Sequence, residues 1–311
     1  MSKKILISTS TFAEFNKTPL KLLEKEQLTY MLNPYKRKLR SEEVVDLAAD
    51  AIGIIAGTED LKDDVLSRLL ALRVISRCGV GMDNVELGSA KKRSVKVYNT
   101  PDGPTMAVAE LTVGVILNLL RKISRMDCLI REGNWKKMMG NLICGKKVGI
   151  VGFGRIGQKV CELLSAFGAE IAYSDIESKS CSLNCSRKEF REIIKWADML
   201  TLHLSPSRGH KPVIGDKELK MMKKGSWLIN VSRGGVVNEE ALYRVLKNGH
   251  LSGAAIDVFE QEPYVGALRE LPNVVLTPHV GSYAKEARIK MEIQAVENLL
   301  EGLREKSGKK R

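Results

Sequence analysis

Val148-Gly149-Ile150-Val151-Gly152-Phe153-Gly154-Arg155-Ile156-Gly157 is the stretch on which the fold turns. An apolar, β-branched run ends at Val151, and three glycines follow at the spacing Gly-x-Gly-x-x-Gly. Ile156, Val160, Leu163, Leu164 and Phe167 then recur at helical intervals, so a strand runs into a helix through a glycine turn. In such a turn Gly152 permits the tight bend and Gly154 lets a pyrophosphate approach the backbone. Gly157 lets helix and strand pack closely, with the helix N-terminus facing the phosphates. Glycines also gather in ordinary turns, so the spacing needs its context. That context is Asp175, which ends the next apolar run eighteen positions after Gly157. There a carboxylate accepts hydrogen bonds from an adenosine ribose and repels the extra phosphate of NADP. As a plain helix N-cap, Asp175 would do neither. The expectation is a site for NAD.

Outward from that turn, short apolar runs alternate with amphipathic helical stretches, the pattern of parallel sheets wrapped by helices. Upstream, strands are expected at 4–8, 51–56, 74–77 and 95–98, with helices at 19–26, 42–49, 63–70 and 86–93. A long apolar helix, 105–124, leads to a second series with strands at 147–151, 170–174, 199–203, 227–231, 253–258 and 274–276. The final helix, 284–303, has too little chain after it to begin another domain, so it is expected to return to the first series. The fold class is α/β, with two doubly wound parallel-sheet domains.

Composition agrees. The 311 residues are 44% hydrophobic and 28% charged, which suits a globular protein with two cores and excludes disordered and collagen-like chains. Six cysteines are too few for a disulfide framework, and the apolar run after Met-Ser-Lys-Lys is too short for a signal peptide, so a reducing cytoplasm is expected. The longest apolar stretch, 106–120, is interrupted by Glu110 and reads as a buried helix, not a bilayer span. The net charge is +13, but its basic residues are dispersed and lack the interleaved aromatics of a nucleic-acid reader. A positive field still favours capture of small anions.

Three places carry candidate chemistry. Arg233 follows the strand at 227–231, at the carboxyl end where open α/β sheets bind ligands; its fork suits a carboxylate, although a surface ion pair is the plain alternative. His279 follows the last strand through Thr277-Pro278 and has the titration range of an acid/base for an alkoxide, whereas a lone histidine is usually structural. Its expected companion is Glu262, with Glu260 as a competitor in the same loop. Gly79-Val80-Gly81 follows the strand at 74–77 and is either an anion-binding nest facing Arg233 or a plain turn. Cys181 and Cys185 are four apart without a second pair or a suitably spaced histidine, so no metal is expected. Cys78, close to the glycine loop, is expected to be open to oxidation, and His210 and His250 to be surface residues.

Taken together, the sequence resembles the D-isomer-specific 2-hydroxyacid dehydrogenases, closest to their phosphoglycerate dehydrogenase branch. The matching stretches are Arg77-Cys78-Gly79-Val80-Gly81-Met82-Asp83-Asn84-Val85, Asn99-Thr100-Pro101 with Ala107-Val108-Ala109-Glu110, and the 152–157 turn. Leu228-Ile229-Asn230-Val231-Ser232-Arg233-Gly234-Gly235-Val236-Val237 follows, then Gly253-Ala254-Ala255-Ile256-Asp257-Val258-Phe259 with Glu262-Pro263, and Thr277-Pro278-His279-Val280-Gly281. They span nearly the whole chain in order.

The resemblance implies a Rossmann-type NAD domain at 100–282 and a smaller, flavodoxin-like substrate domain made of 1–99 and 283–311. It implies that Arg233 binds the substrate carboxylate, that His279 is the acid/base with Glu262 as partner, and that the backbone of Val80 and Gly81 completes the carboxylate site. Asp257 would hold the nicotinamide carboxamide, Asp175 the ribose, and Arg155 and Ile156 the pyrophosphate. His203, Pro206, Val231 and Gly281 would line the cofactor cleft, the domains would close on one another, and the helix after Pro101 would build a homodimer. The implied reaction is NAD-dependent interconversion of a small anionic D-2-hydroxy acid and its 2-keto acid.

3-Phosphoglycerate and phosphohydroxypyruvate are the first expected pair, then glyoxylate or hydroxypyruvate. The pattern departs where the branch often has an arginine after the strand at 51–56, since this chain reads Gly57-Thr58-Glu59. Arg77 matches an arginine near the substrate phosphate in some of those enzymes, and Lys136 and Lys137 are candidates from a neighbouring subunit. The match is looser around 204–210 and 281–283, and no serine-sensing domain is expected after the last helix. A non-enzymatic, NADH-sensing corepressor of related fold is the alternative from another class, and nucleic-acid binding ranks last.

Overall fold

A computed structural model describes residues 4–181, 183–204 and 211–304. The chain divides into two units, Met1–Pro104 with Ser282–Arg311, and Thr105–Gly281. The first begins β1 (Lys4–Ile7), α1 (Thr18–Lys25), β2 (Thr29–Leu32), α2 (Ser41–Ala48), β3 (Gly53–Ala56), α3 (Asp63–Leu66), β4 (Val74–Arg77), α4 (Leu87–Lys92) and β5 (Lys96–Tyr98). The strands form one parallel sheet in the order β2-β1-β3-β4-β5, the flavodoxin-like arrangement. Helices cover both faces, so the central strands are buried on both sides, and Gly53-Ile54-Ile55-Ala56 reads as a continuous apolar run. β2, unforeseen in the sequence, is a half-exposed edge strand whose Thr29-Tyr30-Met31-Leu32 carries no such run.

The second unit continues with α5 (Pro104–Arg121), α6 (Ile123–Arg131), β6 (Lys147–Val151), α7 (Arg155–Ala166), β7 (Glu170–Ser174), β8 (Cys185–Arg187), α8 (Phe190–Trp196) and β9 (Met199–Leu202). It ends with α9 (Asp216–Met221), β10 (Trp227–Asn230), α10 (Glu239–Lys247), β11 (Gly253–Ile256), a 3-10 turn (Ala267–Glu270) and β12 (Val274–Leu276). Its seven strands are all parallel in the order β12-β11-β10-β9-β6-β7-β8. This is the Rossmann order with a further strand at one edge, and strand order reverses at β6. Ile193, Leu200, Leu228 and Leu242 fill one side of the sheet, and Ile116, Ile150, Val160 and Ile229 the other.

The long apolar helix expected at 105–124 is two helices. Lys122 takes a left-handed φ of 55°, and Asn118 bridges the break, its Oδ1 accepting the Ser124 N–H at 2.8 Å and its Nδ2 donating to Ser124 Oγ at 2.6 Å. α5 is long and apolar enough to cross a membrane by length and composition, yet Ile116 and Leu120 lie in the core of the second unit. One cysteine pairing that the spacing did not indicate is present, and one cysteine expectation is corrected. Cys181 and Cys185 form a disulfide, because the bend between β7 and β8 brings their Cα atoms to 6.7 Å. Cys78 is buried, not open to oxidation, and burial pushes its thiol up to about 11.

α11 (Lys285–Arg304) completes the first unit. Ala287, Met291, Ala295, Val296 and Leu299 face inward, and Leu299 sits where any side chain at Gly53 would have to be, 2.8 Å from a Cβ placed there. Two charges share that face. Arg288 Nη2 donates to Glu292 Oε1 at 3.0 Å and to Thr11 Oγ1 at 3.2 Å, and Glu292 Oε2 accepts the Ala13 N–H at 2.9 Å.

Candidate active site

The reversal of strand order at β6 leaves a crevice beyond the carboxyl ends of the strands, and the glycine turn lies there. Gly152 has φ 89°, and a Cβ on it would lie 2.3 Å from the His203 carbonyl oxygen; one on Gly157 would lie 2.2 Å from the Gly152 oxygen. Only glycine fits either place. A Cβ at Gly154 would meet nothing within 4 Å, so the face of the turn in front of the α7 N-terminus is open to a ligand. Asp175 caps no helix. Its Oδ2 accepts the Phe153 N–H at 2.6 Å and its Oδ1 the Glu177 N–H at 3.1 Å, which ties the end of β7 to the turn. Each carboxylate oxygen keeps a lone pair for a ribose hydroxyl. The close-packed glycines, open α7 N-terminus and half-buried carboxylate fit a dinucleotide.

Arg233 sits in a turn built by Asn230, which sequence reasoning passed over. Asn230 Oδ1 accepts from Ser232 N–H at 3.1 Å and Ser232 Oγ at 2.7 Å, while its Nδ2 donates to the Arg233 carbonyl at 3.1 Å. Its readable signal was Asn-x-Ser at a strand end, a common side-chain-stabilised turn. Arg233 Nη1 donates to the Ser232 carbonyl at 2.8 Å.

His279 Nδ1–H donates to both carboxylate oxygens of Glu262, at 2.9 and 3.1 Å. The carboxylate partner is therefore Glu262; Glu260 instead donates its backbone N–H to Glu239 Oε1 at 2.7 Å. Burial pulls the Glu262 carboxyl upward. The His279 hydrogen bond, the Phe259 N–H and the charges of His279 and Arg233 outweigh it and hold the group below the usual carboxylate range. His279 has a left-handed φ of 54°, uncommon for a side chain of its size, and Asp257 holds it there. The Asp257 carbonyl accepts the His279 N–H at 2.8 Å. Its carboxylate accepts from Thr277 Oγ1 at 2.5 Å and from the N–H groups of Val280 and Gly281, both at 2.9 Å. The buried Asp257 is thus a latch for the loop that carries the histidine.

His203 pairs through Nε2 with Thr201 Oγ1 at 3.0 Å, and burial holds its ring down at about 3, so it is neutral near pH 7. Val231 is packed in the core and Gly281 lies against Val108 and Asp257. Arg155 is exposed at the start of α7 and Ile156 packs on the core. Pro206 and His210 lie outside the described residues.

In the first unit, Arg77 folds over Gly79 and donates through Nη1 to the Cys78 carbonyl at 2.5 Å. Val80 is exposed, with its carbonyl held by Asn99 Nδ2 at 2.8 Å, and Gly81 is half-buried. The Gly79 N–H is directed at Thr100 Oγ1, 2.7 Å away, so this amide serves the loop itself. Glu59, noted in the sequence only as a substitution, is buried under the end of β3. Its carboxylate accepts from Ser8 Oγ and from the Gly57 N–H at 3.0 Å, and burial raises it above the ordinary range against the pull of these bonds and of Arg77.

Residues 113–281 match a family model described as D-isomer specific 2-hydroxyacid dehydrogenase, NAD binding domain. A glyoxylate reductase from Thermococcus litoralis is 38% identical over 78% of this chain and 77% of its own length. A D-3-phosphoglycerate dehydrogenase from Bacillus subtilis is 34% identical over 81% of this chain, which spans 49% of that longer protein. Among solved structures, the TT0316 protein from Thermus thermophilus superposes with a TM-score of 0.88 at 32% identity, covering 96% of each chain.

Proposed function

Because the chain belongs to the D-isomer-specific 2-hydroxyacid dehydrogenase family, we propose that it interconverts a D-2-hydroxy acid and its 2-keto acid with NAD. The observation that carries this reading is the His279–Glu262 pair, with the Arg233 charge acting on the same carboxylate. When bound, NADH supplies hydride to the keto carbon. Arg233 grips the substrate carboxylate and draws charge from the carbonyl. With Nδ1–H fixed on Glu262, His279 gives the proton on Nε2 to the nascent alkoxide oxygen, and Glu262 offsets the charge of the ring while it is protonated. Asp257 keeps the histidine loop in place. Asp175 takes the ribose hydroxyls, the Arg155 and Ile156 N–H groups take the pyrophosphate, and His203, Val231 and Gly281 border the dinucleotide. In the first unit we assign substrate binding to Arg77, Val80 and Gly81.

For the substrate we propose 3-phosphoglycerate and phosphohydroxypyruvate, with Arg77 as the phosphate-side cation. The second reading, glyoxylate or hydroxypyruvate, is favoured by the stretch Gly57-Thr58-Glu59, which supplies no arginine after β3 and carries a buried carboxyl turned onto Ser8 and Gly57. A panel of 2-keto acids with NADH and NADPH at one pH tests both. The expected result is turnover with NADH, fastest with phosphohydroxypyruvate. Fastest turnover with the unphosphorylated acids favours the second reading, and NADH binding without turnover of any acid favours a nucleotide-sensing protein instead.

We also propose a homodimer through the second unit. Ile130 on α6 and Trp135, Met139 and Leu142 after it are exposed, Trp135 by 83% and Met139 by 89%. Such apolar area is more than an isolated monomer usually displays in one segment. Sedimentation velocity should give a dimer for the wild type and a larger monomer fraction for Trp135→Ala; a monomeric wild type overturns the assignment.

A further inference from the structure

Beside the glycine turn, three sulfurs come together from separate elements of the second unit. Cys161 is buried on α7, Cys181 lies on the bend after β7, and Cys185 opens the edge strand β8. Their Sγ atoms all lie within 4.8 Å of one another. We propose that, once the Cys181–Cys185 disulfide is reduced, these three thiolates form a site for one thiophilic divalent cation of the zinc and cadmium class.

The dimensions suit it. Metal–sulfur bonds of about 2.3 Å in tetrahedral array place sulfurs about 3.8 Å apart, so the trio closes on a single ion with shifts of an ångström or less. A redox pair needs two sulfurs; the third arrives from the helix on the other side of the bend, which makes the group three-sided. The surroundings also suit a soft cation. Cys161 belongs to the apolar core on this side of the sheet, and Cys181 and Cys185 pack against that core. Cys181 meanwhile lines a cavity of about 480 Å³ shared with Arg155, Gln158, Lys159 and Glu162. That cavity gives the ion an entry path and leaves room for water as a fourth ligand. Lys159 in that lining is paired with Glu162, so Arg155 leaves the lining one positive charge in excess, which opposes the single negative charge of a divalent ion held by three thiolates.

The chemistry balances. A phosphine or dithiol reductant supplies two electrons, the S–S bond breaks, and two protons complete two thiols. Binding then releases the three thiol protons as three metal–sulfur bonds form. The loaded site would fasten the bend after Asp175 to α7. Sequence spacing could not show this, because Cys161 stands twenty positions before Cys181 and on another element.

The test is anaerobic titration of the full, phosphine-reduced chain with Co²⁺ and Cd²⁺. The expected result is one equivalent bound, a thiolate-to-cobalt charge-transfer band in the near ultraviolet, and a raised thermal midpoint. Cys161→Ser, Cys181→Ser and Cys185→Ser should each weaken binding by roughly 100-fold or more. Cys128→Ser and Cys144→Ser, at exposed thiols outside the trio, should change it less than about twofold, and the oxidised chain should bind none. Should the buried Cys161→Ser variant fail to fold, the variants at half-buried Cys181 and Cys185 carry the comparison. A reduced wild type without the thiolate band, or a band that survives substitution at Cys181 and Cys185, overturns the proposal. So does a folded Cys161→Ser chain that binds as the wild type does.

Discussion

The two units present charged groups in contrasting surroundings. In the first, Glu59, Arg288 and Glu292 are 1%, 7% and 2% exposed and are paired inside the fold, and burial lifts both carboxyls above the ordinary range. In the second, the side chains of His279 and Glu262 are 45% and 39% exposed, and the carboxyl is held below its ordinary range. Buried polar groups that satisfy one another fix loops in place and have little left to offer a ligand. A half-exposed pair keeps one ring nitrogen for exchange with solvent or substrate. Asp257 sits in the second unit but behaves like the first, since its three donors spend its carboxylate on holding a loop.

The largest effect should come from the exposed pair. His279→Ala is expected to slow keto-acid reduction by about 10²–10⁴-fold. Stopped-flow fluorescence should find NADH binding within about threefold of wild type; near-full activity would remove the histidine from the mechanism and erase the contrast between the units.

Glu292→Ala strands a buried arginine and should cost about 3–5 kcal/mol of stability, read by denaturant unfolding, while turnover per folded molecule stays within about twofold. A catalytic loss on the scale of His279→Ala would instead give the buried network a chemical role.

The mildest test is pH. His203 has a folded value of about 3, below the ordinary 6.5, so between these values the unfolded chain takes up a proton that the folded chain refuses. Stability should therefore fall with falling pH across that window, by at most about 1.4 kcal/mol per pH unit from this one group. Glu59 has the opposite sign: its raised folded value gives stability below the ordinary carboxylate range that is lost as pH rises through the folded value. Denaturation curves from pH 4.5 to 7.5 should be flatter on the acid side for His203→Gln. For Glu59→Gln the acid-side slope should become steeper. Parallel curves for both variants and the wild type would mean that neither burial is energetically felt.

Much of this was readable beforehand. Strands buried on both faces announce themselves as apolar runs, and the glycine turn and Arg233 stand at their carboxyl ends, while His279 follows β12, a half-buried edge strand that is still wholly apolar. What escaped was set by tertiary contact. β2 and β8 are edge strands defined by a neighbour's backbone more than by their own side chains. The break at Lys122 depends on a side-chain bridge from Asn118, and the choice of Glu262 over Glu260 depends on which carboxylate the loop delivers to the imidazole. His250, expected at the surface, is half-buried because its Nε2–H finds the Met222 carbonyl at 3.0 Å. The convergence of Cys161 with Cys181 and Cys185 has no local signature at all.

The first unit is closed by α11, the last helix described, although its sheet is complete by β5. During synthesis at roughly 5–20 residues per second, Val74, Ile55 and their neighbours must wait on the order of ten seconds or more for Met291, Val296 and Leu299 to leave the ribosome. The intervening second unit is contiguous and can fold in that interval. A chain released before residue 285 would therefore carry a complete second unit and, in its first unit, an apolar sheet face left uncovered.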